Sequence, residues 1–295
     1  MPTTSRDIQI LLALHRYHVL NRRQIQRLFF GLGKVAARNT RRRLGGLKAR
    51  GYITRPSLGQ FSEDDGSTTP VYYLTQTGRE FLAKTLSDES FLTTNKHLPR
   101  SDWLLHWLAI SETHIKLDQA TSRPGEAIHL ERWINEYDLA DPKATKPEQK
   151  FVLYTLITEQ PERLSCQPDS GFVLSLGAHY RVFFLEQDMG SSWPNQVAAS
   201  KVPGYAAMAE RGLVRTIFPE ATSDKVFVLV VTTDARRRDA LRKAIANKPG
   251  ADLWKFTVAS DLKSDTFFDG AIFYRCEGGA EPLVRRQSRD ESTQY

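Results

Sequence analysis

Three acids near the middle of the chain have the spacing of a metal-dependent phosphodiester site. In the stretch CQPDSGFVLSLGAHYRVFFLEQDMG, residues 166–190, Asp169 follows Pro168, and Glu186 and Asp188 stand two apart. The pattern predicts a β-hairpin with strands over 171–176 and 180–185 and a turn at 177–179. Side chains two apart on a strand face the same way, so Phe184, Glu186 and Asp188 share a face, and antiparallel pairing brings Asp169 opposite them. Three carboxylates in one place repel each other unless a cation neutralises them. Mg²⁺ or Mn²⁺ does so and activates water against a phosphodiester. Asp169, Glu186 and Asp188 are therefore the candidate metal ligands and catalytic acids, set against the plainer reading of solvated strand-end carboxylates.

A second constellation is cationic. Residues 34–50, KVAARNTRRRLGGLKAR, carry Lys34, Arg38, Arg41, Arg42, Arg43, Lys48 and Arg50 and no acid. At about 100° per residue, Ala37, Thr40, Leu44 and Leu47 share one face of a helix, Arg38 and Arg42 point away from it, and Arg41 and Lys48 flank them. A solvated surface helix ordinarily mixes signs to form i,i+4 pairs, and this one does not. Such a face suits a phosphate backbone, through Coulomb attraction and counterion release, with arginine able to fork onto guanine edges in the major groove. Lys34, Arg38, Arg41, Arg42, Arg43 and Lys48 are the candidate DNA contacts. Gly45 and Gly46 each cost a helix about 1 kcal/mol relative to alanine, so an early stop is expected there. Close approach to DNA or to the first helix and a tolerated kink are both open readings.

The elements that must position these residues follow from capping and periodicity. Thr3 or Thr4 can cap a first helix bearing Ile8, Leu11, Leu12 and His15, and Asn21 a second bearing Ile25, Leu28 and Phe29. After the basic helix, Gly51 stops the chain's helical run, residues 52–55 and 71–74 predict an antiparallel hairpin, and Thr75 or Thr77 opens another helix. Helix, helix, basic helix, hairpin, helix is the order of a winged helix-turn-helix. A long amphipathic helix is expected over 101–120, with Trp103, Trp107, Ile110, His114 and Leu117 as a stripe that suits either interdomain packing or a homodimer surface. Strands at 127–134, 171–176, 180–185 and 225–231, with helices at 194–211 and 235–247, then predict an α/β domain with a mixed sheet. The fold class is thus α+β, with domains at 1–90 and 100–276 and a disordered tail over 277–295.

Composition agrees with this division. The chain has 41 Lys and Arg against 34 Asp and Glu, and residues 1–87 hold 15 of the bases but only 5 of the acids, a net of +10 that leaves −3 for the rest. A polyanion would meet the N-terminal part first. Two cysteines, Cys166 and Cys276, lacking any CxxC or Cys/His spacing, indicate neither a disulfide framework nor a structural zinc site. No apolar signal core or membrane-length run occurs, so a cytoplasmic protein without a membrane partner is expected.

The chain resembles the replication-relaxation family of plasmids and integrative elements, from about Thr3 to Tyr274. The resemblance lies in RRLGGLKARGYI and YYLTQTGREFL, then in PDSGFVL, FFLEQD and KVPGY in that order. It implies a winged helix joined to a domain similar to the PD-(D/E)xK nucleases, Mg or Mn as cofactor, and a role in plasmid replication and DNA relaxation. In that pattern two acids bind metal and a lysine positions or activates water. Asp169 and Glu186 match the acids, Asp188 stands where the lysine would be, and Lys201 of KVPGY is the candidate replacement. Glu112 matches the place of a further acid.

These readings converge on a double-stranded DNA-binding protein of a mobile element, acting in replication, relaxation or transfer with a metal-dependent nicking domain and with replication or conjugation proteins as further partners. The alternative is a transcriptional or replication regulator whose nuclease-like domain is inactive and serves dimerisation or protein docking. A histidine-hydrophobe-histidine relaxase is disfavoured, because no two of the seven histidines have HxH spacing.

Overall fold

The computed structural model describes residues 3–55, 69–93 and 103–284. It is a mixed α+β protein whose chain divides into two compact units, Met1–Ile115 and Lys116–Tyr295. The division falls inside a helix rather than in the 90–100 segment expected as the boundary.

In the first unit the order is α1 (Ser5–Arg16), β1 (Val19–Asn21), α2 (Arg22–Phe29), α3 (Lys34–Ala49), β2 (Ile53–Thr54), β3 (Val71–Leu74), α4 (Gln76–Leu86) and α5 (Ser90–Thr93). Side chains fix the helix starts. The Thr4 hydroxyl accepts from Asp7 N at 3.3 Å while Asp7 Oδ2 accepts from Thr4 N at 3.0 Å. Asn21 and Gln24 make the same reciprocal pair at the start of α2, and Thr75 accepts from Gly78 N at 3.0 Å to open α4. These caps satisfy helix N–H groups that have no partner within the helix. The hairpin strands pair as expected, Ile53 with Leu74, and β1 adds an antiparallel strand on the other side of β3. A core of Ile10, Leu11, Leu14, Ile25, Leu44 and Leu47 joins the helices to the sheet.

Two details of α3 differ from expectation. Its buried residues are Ala36, Thr40, Leu44 and Leu47, with Ala36 rather than Ala37 on the packing face. The helix also continues through Gly45 and Gly46 to Ala49, because packing of Leu44 and Leu47 outweighs two glycine penalties. A Cβ placed on Gly45 would meet nothing within 4 Å, so this glycine is not there to admit the first helix.

The second unit is built on a sheet. Helix α6 (Leu104–Thr121) is followed by β4 (Ile128–Asn135), α7 (Pro147–Lys150), β5 (Thr155–Thr158), β6 (Leu164–Cys166), β7 (Ser170–Leu176), β8 (His179–Gln187), α8 (Pro194–Glu210) and α9 (Val214–Ile217). Then come β9 (Val226–Thr232), α10 (Ala235–Ile245), β10 (Trp254–Val258), β11 (Phe273–Tyr274) and β12 (Ala280–Glu281). Seven strands lie in the order β12-β11-β10-β9-β8-β7-β4, with β8, β9 and β10 parallel and the other pairs antiparallel. A separate pair, β5 and β6, lies outside this sheet. Val182 and Phe184 on β8, Val228 and Val230 on β9, and Trp254 and Phe256 on β10 pack against Val202, Tyr205 and Met208 of α8 and Leu241 and Ile245 of α10. The other side of the sheet carries a stacked row of rings, Trp133, Phe172, Phe183 and Phe227. Part of the tail read as disordered is structured, since β12 pairs with β11 and Leu283 and Val284 are buried.

Helix α8 runs unbroken through Pro203 and Gly204, where the sequence suggested an interruption. Pro203 lies on the exposed side, and Gly204 presses against the backbone of β6, so close that a Cβ would come within 2.5 Å of the Ser165 carbonyl oxygen. Gly204→Ala is therefore expected to destabilise the second unit by about 1–3 kcal/mol through overpacking against backbone. Gly45→Ala, in open space on a helix, is expected to stabilise the first unit by about 0.5–1 kcal/mol. Calorimetric melting of the two variants checks both, and opposite shifts of the two midpoints are the expected result.

Candidate functional site

The hairpin places Asp169 and Glu186 side by side. Ser170 pairs with Leu185, Asp169 N donates to the Leu185 carbonyl at 3.1 Å, and Gln187 N donates to Asp169 Oδ2 at 2.7 Å. Strand alternation puts Glu186 on the same side as Val182 and Phe184, the side covered by α8. There Lys201 Nζ donates to Glu186 Oε1 and lies 2.9 Å from Oε2, and it also donates to the Gln167 carbonyl at 2.9 Å. One turn further on, the Tyr205 hydroxyl donates to Glu186 Oε1 at 2.5 Å. Glu186 and Lys201 are thus in contact, with the Asp169 charge acting on both. Tyr205 was missed; its signal was the i,i+4 spacing from Lys201, hidden by the expected break at Pro203.

The electrostatics follow from burial. Burial pushes the Glu186 carboxyl up to about 7, against the pull of Lys201 and with the Asp169 charge adding to the rise. Burial works to lower Lys201, but the Glu186 and Asp169 charges overcome it and hold the ammonium above its ordinary range. Burial likewise raises the Tyr205 phenol, which stays protonated and donates. The arrangement couples an acid that titrates near neutrality to a lysine that stays charged.

Asp188 does not join this group, which corrects the expected three-carboxylate site. Both of its oxygens are held by Arg237 of α10, Nε and Nη2 each at 2.7 Å. It shares the face of Glu186, as strand parity requires, but a different helix supplies its cation. Among the described residues no group of three or more His, Cys, Asp or Glu is disposed to hold an ion. Asp169 and Glu186 are the two carboxylates that could hold a Mg²⁺ or Mn²⁺ completing its shell with water and substrate phosphate oxygens. Beyond Asp188 lies a cavity of about 420 Å³ lined by Gly190, Ser192, Trp193, Asp234, Arg236 and Arg237.

The cationic helix presents most of its candidates to solvent. Lys34, Arg38, Arg41, Arg42 and Lys48 are exposed. Arg43 is the exception: it is half-buried and reaches Asp7 Oδ2 at 3.4 Å, which assigns it to holding α3 on α1 rather than to a free surface. Arg50 lies 3.7 Å from the same oxygen of this fully buried acid. Glu112 belongs to the first unit, where it accepts from Arg27 at 2.6 and 2.8 Å and from Gln24 at 3.1 Å. Of the expected stripe on α6, Trp107, Ile110, His114 and Leu117 are buried, while Trp103 is half exposed.

A unit of short helices with a three-stranded sheet and an exposed basic helix, followed by a unit in which a mixed sheet and its covering helix bring a glutamate and a lysine together, defines a two-unit α+β protein. Residues 11–220 match the replication-relaxation family, and the chain belongs to that family. Membership associates it with replication or relaxation of plasmid or mobile-element DNA. The match begins within α1, runs through α9 and stops before β9, short of the Tyr274 expected. Comparisons with curated proteins and with solved structures gave no match.

The raised Glu186 carboxyl sets a pH dependence. Between about pH 4.5 and 7 the folded chain keeps a proton there that the unfolded chain releases, so this group's contribution to stability falls as pH rises through that window. Glu186→Gln removes the titration. The stability of the variant relative to the natural protein is expected to increase from pH 5 to pH 8 in denaturant titrations, and a difference that is flat or falls with pH would refute the assignment.

Proposed function

We propose that this protein binds duplex DNA of a mobile element through an N-terminal winged helix-turn-helix, with α3 as the recognition helix, and nicks it with a PD-(D/E)xK nuclease-like domain. The observation that carries the catalytic half is the convergence of Asp169, Glu186 and Lys201, two acids from adjacent strands and a lysine from the following helix. Mg²⁺ or Mn²⁺ held by Asp169 and Glu186 would supply Lewis-acid stabilisation of phosphate charge. The chain's own residues do the rest. Gln187 N fixes the Asp169 carboxylate, Tyr205 fixes Glu186, and the Lys201 ammonium, being charged, orients water and stabilises phosphate rather than acting as a base. The DNA-binding half is supported by the five exposed cations of α3 and by the element order around them. The segment between β2 and β3 that would carry the wing's tip lies outside the described residues.

One observation favours the second reading, a regulator with an inactive nuclease-like domain. The position two after Glu186 holds Asp188, and its partner Arg237 is locked to it, so the strand supplies no lysine. Exposed Trp103, just ahead of α6, and Leu105 on it would then serve a homodimer or a replication or conjugation partner.

Binding of the full chain to a duplex should weaken steeply with salt, because bound cations displace condensed counterions. Arg42→Ala should weaken it clearly and Lys84→Ala, on exposed α4 surface, hardly at all. Salt-independent binding overturns the assignment of α3. With Mg²⁺ or Mn²⁺, supercoiled plasmid should become nicked or linear, and Asp169→Asn, Glu186→Gln or Lys201→Ala should each slow this by about 100-fold or more while leaving duplex affinity within about twofold. Plasmid left intact in the presence of either metal, together with normal duplex binding, selects the regulator. If the two carboxylates take the ion at all, Mn²⁺ should raise the melting temperature more at pH 8 than at pH 6, since below about 7 the proton on Glu186 competes.

A further inference from the structure

The turn that leads into α3 holds two bulky aliphatic side chains out in water. Leu32 is 86% exposed and Val35, in the first turn of the helix, is 64% exposed. The turn is built to do this. Phe30 N donates to Gln26 O at 2.8 Å, the Gln26 amide donates to Gly31 O at 3.3 Å, and Arg6 lies over the Phe30 ring. Gly31 and Gly33 then take left-handed φ values of +74° and +100°, conformations that bulky residues avoid. Leu32, between them, is lifted off the body of the unit at a point where neither side chain has a core to join.

The surroundings of this apolar tip are cationic. Lys34 sits between the two residues, and Val35 shares a helical face with Arg38 and Arg42, at i+3 and i+7, with no acid anywhere on α3. Such a rim repels basic partners and suits a polyanion. Duplex DNA is a polyanion that also presents methyl groups, because each thymine places its C5 methyl in the major groove, where apolar side chains contact it. The residues at the N-terminal end of a recognition helix are those that meet base edges.

We propose that Leu32 and Val35 read thymine methyl groups in the major groove, giving the protein a preference for thymine at defined positions beside the bases and phosphates met by Arg38 and Arg42. This rests on α3 being the DNA-contacting helix. Removing either side chain to alanine leaves the core untouched, so both variants should melt like the natural protein.

The probe is a duplex selected by the full chain from a randomised pool, then resynthesised with deoxyuridine in place of each thymine, which keeps base pairing and removes only the methyl. Affinity should fall by about fourfold for each contacted thymine, the worth of one methyl-sized group taken out of water. Leu32→Ala with Val35→Ala should bind the thymine duplex correspondingly less tightly, lose discrimination between thymine and uracil, and keep the salt slope and affinity for unselected duplex. The proposal is overturned if the natural protein is indifferent to uracil at every position, or if the double variant discriminates as before. Either result, with binding that still depends on Arg42, removes the thymine reading alone. Absence of salt-dependent, Arg42-dependent binding removes the reading of α3 and this proposal with it.

Discussion

The second unit is constrained above all by the need to keep a carboxylate beneath a helix. Glu186 leaves water as β8 passes under α8, and an acid in that position is tolerated only with a cation and a hydrogen-bond donor directed at it. Lys201 and Tyr205 supply them, one turn apart on α8. That requirement explains why the helix must be continuous across Pro203, since a break there would put Tyr205 out of phase with Lys201. It also explains the glycine that follows. With the Ser165 carbonyl as near as it is, any side chain at 204 would lift the helix and both of its polar residues off the sheet.

The first unit solves the opposite problem, keeping cations free. Asp7 is fully buried, caps α1 through Thr4 and draws Arg43 and Arg50 toward α1. Two of the seven bases on this stretch are thereby used to seat the helix. Breaking such a buried ionic contact by removing the acid is costly, whereas the exposed bases contribute little to stability. One set of arginines therefore belongs to the fold and the other to whatever meets the surface. Sequence charge alone could not separate them, because the difference depends on an acid 36 residues away.

How legible the chain was can be judged from such cases. The hairpin was legible from two apolar runs flanking residues 177–179, and strand parity set Phe184 and Glu186 on one face, since side-chain parity follows directly from sequence. The cap at Asn21 was legible, and those at Thr3 or Thr4 and at Thr75 or Thr77 to within a choice of two that the structure settles on Thr4 and Thr75, because a polar side chain ahead of an apolar-periodic run caps it. The short strands β1, β11 and β12 were not, being two or three residues long and held by partners distant in sequence. Arg237 escaped notice for the same reason: its link to Asp188 spans 49 residues, and only the parallel order of β8 and β9 brings α10 to it. Glu112 was placed by fold analogy in the acidic site, yet Arg27 and Gln24 claim it.

The contrast in how the two units treat their bases bears on function. In the second unit several bases are matched, Arg237 with Asp188, Lys201 with Glu186, Arg238 with Asp239, and Lys255 and Arg275 with Glu281. Among the described residues, Lys34, Arg38, Arg41, Arg42 and Lys48 make no ion pair. Like charges held on one exposed helix repel, and that repulsion is a standing cost to the free protein. A polyanion relieves it on binding, so part of the binding energy is stored in the unliganded fold. In the second unit the Lys201 and Glu186 pair is a different case, because an incoming phosphate or divalent ion must compete with a partner already in place. A polyanion meeting α3 would draw on unpaired surface charge, whereas any ligand of Lys201 and Glu186 would first have to rearrange a half-buried pair.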